Sequence, residues 1–148
     1  MEYKLELIVL PVSDVERAKA FYDKFDWRLD ADIQGEGGFR VVHYTPTGSP
    51  ASIIISNGLT DAAPGSTRGT YLVVDDVEAA RADIAGRGIE ITEVFYEAEG
   101  GIPSVKTEGR TPGLAPERAS YFSFAIFNDP EGNEFILQEI TTRFPGRV

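Results

Sequence analysis

Apolar and polar positions change period along this chain, and each change marks an element. Leu5, Leu7, Val9 and the run from Leu10 to Val12 are largely apolar and read as a first strand. Ser13 with Glu16 three residues on is a capping-box pattern. Val15, Ala18, Tyr22 and Phe25 then fall at helical spacing, an apolar stripe that suits the face of a sheet. A glycine turn at 35–38 leads into apolar strands over 39–44 and 52–55, joined by a loop over 46–50.

Residues 58–68, rich in Gly, Ala, Pro, Asp and Ser, read as a connector. The order then returns: a strand over 71–74, Asp75 with Glu78 as a cap, and a helix striped by Val77, Ala80 and Ile84. Gly86 or Gly88 is expected to stop that helix, and 89–95 reads as the next strand. Residues 97–119 break the pattern with Gly, Pro and charge. Irregular stretches of that length are usually functional or disordered. As a lid, this one would hinge at Gly100, Gly101 and Gly109 and carry Arg110 or Arg118 as its charge. Strands over 121–127 and 134–140 close the chain as a hairpin across 128–133.

The pattern is therefore β-α-β-β-β, stated twice. The stretch from Leu10 to Ala18 recurs from Leu72 to Ala80, with leucine, valine, aspartate, valine, glutamate and alanine in register. Such an internal repeat implies an α+β domain over 1–148 built from two half-domains, about 4–57 and about 69–142. It also implies a ligand cleft near the axis that relates them.

Composition narrows the functions. A formal net charge of −10 with no basic stripe argues against nucleic acid, whose phosphates require clustered Lys and Arg. The chain has no cysteine, which removes disulfides, thiolate metal sites and a cysteine nucleophile. No signal-peptide layout and no apolar run of membrane-spanning length are visible, so a cytoplasmic protein without a membrane partner is expected.

Three motifs stand in order: Val12-Ser13-Asp14 through Phe21-Tyr22, Val74-Asp75-Asp76, and Asp129-Pro130-Glu131-Gly132-Asn133. Together they resemble the vicinal oxygen chelate (VOC) superfamily of glyoxalase I, bleomycin-resistance proteins and extradiol dioxygenases. The resemblance covers nearly the whole chain and implies two βαβββ units forming an open barrel around a deep cavity. It further implies a homodimer. In metal-dependent members, His or Glu from four strands bind a divalent ion. Carried over residue by residue, those positions fall on Leu7, Ile54, Gly69 and Ile136, none of which bears a donor. Glu6 and Glu139 lie nearby, but strand alternation turns both to the opposite face. No metal or other cofactor is expected.

If those four positions face inward, same-parity neighbours line the cavity too. The expected ligand face is then Leu7, Val9, Ser52, Ile54, Ser56, Tyr71, Val73, Ile136 and Gln138, with Glu134 near the rim. Tyr71, Glu134 and Gln138 are the catalytic candidates. Tyr71 also reads as a half-buried strand tyrosine and Gln138 as a solvated strand end. Pairing 39–45 against 51–56 across a five-residue loop sets His43 opposite Ile53, outside the cavity, and no Ser-His-Asp set forms around it. Trp27 reads as a packing aromatic. Tyr121, Phe122, Phe124 and Phe127 divide between the cavity and the helices, so the walls suit a planar or apolar ligand.

Three functions fit. One is metal-free binding or sequestration of a small molecule, as in drug resistance. Another is a metal-independent isomerase, cyclase or lyase, and the third, disfavoured by the donorless positions, is a metal-dependent lyase or dioxygenase.

Overall fold

The computed structural model describes residues 1–147 and forms an α+β fold of two mixed sheets. Two units make up the chain. Met1–Arg68 and Asn128–Glu134 form the first, and Gly69–Phe127 with the segment from Phe135 onward forms the second.

The first unit holds β1 (Leu7–Pro11), α1 (Val15–Tyr22), β2 (Arg28–Gln34), β3 (Arg40–Thr45) and β4 (Ser52–Ser56). Its sheet runs β1-β4-β3-β2, with β1 parallel to β4 and the remaining pairs antiparallel. Strand alternation sends Leu10, Val42, Tyr44, Ile53 and Ile55 to one buried face. Val15, Ala18, Phe21 and Tyr22 of α1 are buried as well, and the Tyr22 and Tyr44 rings lie 5.8 Å apart. Phe25 stacks on Trp27 at 4.3 Å, in keeping with a packing role for that tryptophan.

β2 has no counterpart in the sequence reading, although Leu29, Ala31 and Ile33 alternate with polar residues. It is an edge strand and mostly exposed, so its apolar signal is weak.

The cap of α1 differs by one residue from the capping box. Asp14, not Ser13, accepts the Arg17 N–H, at 3.0 Å. Ser13 is held elsewhere: its N–H and hydroxyl both donate to the Glu131 carboxylate at 2.7 Å, and the Asp14 N–H adds a bond at 2.9 Å. The 129–133 turn thus pins the start of α1. Within it, Asp129 accepts from the Tyr22 hydroxyl (2.8 Å) and from the N–H groups of Glu131, Gly132 and Asn133. The Asn133 amide donates to the Pro11 carbonyl and accepts from the Thr67 N–H, each at 3.0 Å.

The second unit holds β5 (Thr70–Val74), α2 (Val77–Gly86), β6 (Phe95–Glu97), β7 (Arg110–Pro112), β8 (Phe124–Asn128) and most of β9 (Glu134–Glu139), in the order β5-β9-β8-β6-β7. Asp76, not Asp75, caps α2 by accepting the Ala79 N–H at 3.0 Å. The strand expected over 89–95 begins only at Phe95. Arg81 explains the delay, because its guanidinium takes the carbonyls of Thr92 (3.1 Å) and Ile91 (3.4 Å) that a ladder would have used. The irregular stretch expected over 97–119 also contains a strand. β7 pairs antiparallel with β6, Tyr96 opposite Thr111.

Candidate functional site

The strand registers of the first unit set out the sheet face turned away from α1, row by row. Leu7 pairs with Ser52, and the Ser52 hydroxyl lies 2.7 Å from that of Thr45, which pairs with Arg28. Val9 pairs with Ile54, Ile54 with His43, and His43 with Ala31. Pro11 pairs with Ser56 and Ser56 with Val41. All five ligand-face residues expected from this half, Leu7, Val9, Ser52, Ile54 and Ser56, therefore share one face. Its middle row is apolar apart from His43, whereas the Leu7 row carries Ser52, Thr45 and Arg28 and the Pro11 row carries Ser56.

His43 overturns its sequence assignment. Its partner is Ile54, not Ile53, so it stands in the middle row of this same face. The reason is one extra residue in the loop. Ala51 stays out of the ladder because the Ser49 hydroxyl donates to its carbonyl (2.6 Å) and accepts its N–H (3.1 Å). A loop longer by one moves the pairing by one, and the face inverts.

A second irregularity completes the neighbourhood. The β2–β3 register shifts between Leu29 and Ala31, leaving Asp30 as a bulge residue. Its carboxylate accepts from Arg28 Nε and from the Thr45 hydroxyl, and its Oδ2 lies 3.9 Å from His43 Nε2. The Arg28 bond, then the Thr45 bond, hold the Asp30 carboxyl below the usual carboxylate range. His43 Nε2 is buried without a hydrogen-bond partner. Asp30, Thr45 and Arg28 escaped the sequence reading. The alternation over 29–33 marks the strand beside Arg28, but not the bulge that aims Asp30.

In the second unit, Tyr71 pairs with Ile136 and Val73 with Gln138. Ile136 belongs to a buried cluster with Phe95, Phe124 and Ile126, against which Tyr71 packs. Phe127 stacks instead on Phe135 at 5.0 Å. Gln138 is not a solvated strand end: it is buried, and its amide donates to the Tyr121 carbonyl at 2.9 Å. Two other polar candidates are likewise occupied. Glu134 accepts from Arg68 at 3.0 Å, and the Ser56 hydroxyl donates to the Arg40 carbonyl at 2.8 Å.

The charges assigned to a lid are held within the fold. Arg110 lies over the Phe95 ring at 4.9 Å, with its Nε 3.9 Å from Glu97. Arg118 makes a two-pronged bond to Glu139 at 2.8 and 2.9 Å.

A divalent ion needs nitrogen, oxygen or sulfur donors. Leu7, Ile54, Gly69 and Ile136 supply none from their side chains, so these positions do not fit it. Nor does Glu139 fill the gap. It lies one residue out of phase with Gln138, and its carboxylate accepts from the Val77 N–H (2.9 Å) and from Arg118. Among the described residues, no group of three or more His, Cys, Asp or Glu side chains is placed to hold a metal.

A model of the glyoxalase/bleomycin resistance protein/dioxygenase superfamily matches residues 4–137. No curated protein sequence matches the chain. Among solved structures, it is similar to a glyoxalase/bleomycin resistance protein from Streptomyces sp. CB03234, with 29% identity and a TM-score of 0.64 over 92% of this chain and 100% of that one. It is also similar to TnmS3, an antibiotic binding protein from the same organism, with 28% identity and a TM-score of 0.67 over 95% and 98%. The fosfomycin resistance protein FosX from Mesorhizobium loti shares the fold at 16% identity and a TM-score of 0.56, over 95% and 94%.

Proposed function

We propose that this chain, which belongs to the glyoxalase/bleomycin resistance protein/dioxygenase superfamily, binds a small apolar or aromatic molecule without a metal ion and sequesters it. The observation that carries the reading is the sheet face described above. The positions where metal-dependent relatives place ligands are aliphatic or glycine, while the row of Val9, Ile54, His43 and Ala31 offers apolar surface with one hydrogen-bonding side chain, and Ser52 and Thr45 lie in the next row. A surface of that kind holds a ligand by burial and orients it by one or two polar contacts. The similarity to an antibiotic binding protein supports an antibiotic-like ligand. A cytoplasmic homodimer is part of the same proposal.

A metal-independent isomerase, cyclase or lyase is the second reading, and His43 favours it, since a histidine beside a carboxylate is a common acid–base arrangement. The test is native mass spectrometry of the purified protein with a panel of planar aromatic compounds, followed by mass analysis of the released compound. Sequestration predicts stoichiometric complexes that release the compound unchanged. Release of an altered compound supports the second reading, and absence of any complex contradicts the first.

A further inference from the structure

His43 is the chain's one histidine, and it stands in the middle of the face on which the proposed function rests. Its row neighbours are aliphatic, Ile54 on one side and Ala31 on the other, with Val9 beyond Ile54. The imidazole is therefore a polar group on an apolar floor. Its side chain is 24% exposed, yet Nε2 is shut off from solvent and has no partner. Nδ1 is thus the nitrogen left open to a bound molecule.

Nε2 lies 3.9 Å from the Asp30 carboxylate. That distance is too long for a hydrogen bond but close enough for the carboxylate field to act on the ring. A lone pair facing a carboxylate oxygen is repelled, whereas an N–H facing it is attracted, so the ring proton belongs on Nε2. Asp30 cannot supply that proton. Its oxygens already accept from Arg28 and Thr45, and both bonds favour the ionised form. With the proton on Nε2, Nδ1 presents a lone pair to the ligand. A lone pair accepts, and so it needs a donor.

We infer that His43 anchors the bound molecule through Nδ1, with Asp30 as the positioning residue behind it. The subsite selects ligands that present an O–H or N–H donor, aromatic hydroxyl compounds foremost, over alkylated counterparts that present only an acceptor. An ether or ketone there offers no donor to Nδ1 and forgoes that bond.

The probes are 2-naphthol and 2-methoxynaphthalene, which share a ring system and differ in the donor. Affinities are measured by titration calorimetry on the full chain. The wild type should bind the naphthol about five- to tenfold tighter, the worth of one net hydrogen bond. In His43→Phe the ratio should fall to about one, with binding of the ether kept. In Asp30→Asn the ratio should shrink because the tautomer is no longer held. A second measurement needs no variant. The lone imidazole gives one set of long-range ¹H–¹⁵N signals, and the naphthol, not the ether, should move the Nδ1 resonance. A wild-type ratio near one, a preference that survives His43→Phe, or an unmoved Nδ1 signal overturns the inference and leaves the ligand-binding proposal standing. Failure of both probes to bind overturns both.

Discussion

Removing the Arg118 side chain should expose how the second unit holds its buried charge. The Glu139 side chain is 1% exposed and accepts from Arg118 Nε at 2.8 Å, Arg118 Nη2 at 2.9 Å and the Val77 N–H at 2.9 Å. Arg118→Ala takes away two of those three donors and the Arg118 countercharge on the carboxylate. Breaking a buried pair from one side costs about 3–5 kcal/mol. Because Arg118 is itself 43% exposed, water can enter the vacated space, which favours the low end, about 3 kcal/mol. For a chain of this length that corresponds to a drop in Tm of roughly 9 °C. The double variant Arg118→Ala with Glu139→Gln should recover roughly half of the loss, since an amide tolerates burial better than a carboxylate.

The pH dependence has a definite sign. The Arg118 bonds, against the opposing effect of burial, hold the Glu139 carboxyl below the usual range. A lowered folded value contributes stability that is present above the unfolded value and is lost as pH falls through the folded one. The gap between wild type and Arg118→Ala is therefore widest at neutral pH and narrows below about pH 4. Urea denaturation at both pH values measures it. A loss under about 1 kcal/mol, or one equal at both pH values, would mean that Arg118 does not hold the Glu139 charge.

Two further predictions concern the first unit. Glu131→Gln should destabilise α1 by about 1–2 kcal/mol, read by thermal unfolding, because a charge-assisted cap becomes a neutral one. Although burial opposes it, the Asp14 and Ser13 donors keep the Glu131 carboxyl low, so the wild type loses this stability as pH falls through that value and the variant does not. Gly65→Ala should cost at least about 2 kcal/mol in denaturant titration. Gly65 sits at φ +79°, and an added Cβ would run into the Glu131 carbonyl oxygen.

The repeated phrase and the helical stripes carried most of the architecture in the sequence, because periodic burial is a local property. What escaped was set by single side chains acting at a distance or across a turn. Ser13 looks like a cap until Glu131, far along the chain, takes its N–H. Ile91 and Thr92 look like strand residues until Arg81 takes their carbonyls. β2 escaped because an exposed edge needs few apolar residues. That Leu7, Val9, Ser52, Ile54 and Ser56 share one sheet face was legible through parity alone. His43 was lost to the wrong side by one loop residue, and Asp30 is aimed by a bulge whose register no local pattern encodes.

In the function proposed above, a small molecule is held by apolar surface and hydrogen bonds without a metal ion. The direct test is calorimetric affinity for 2-naphthol before and after exhaustive chelation, and again after a divalent ion is restored. Equal affinity in all three states is the predicted result. Affinity lost on chelation and recovered with the ion would contradict it.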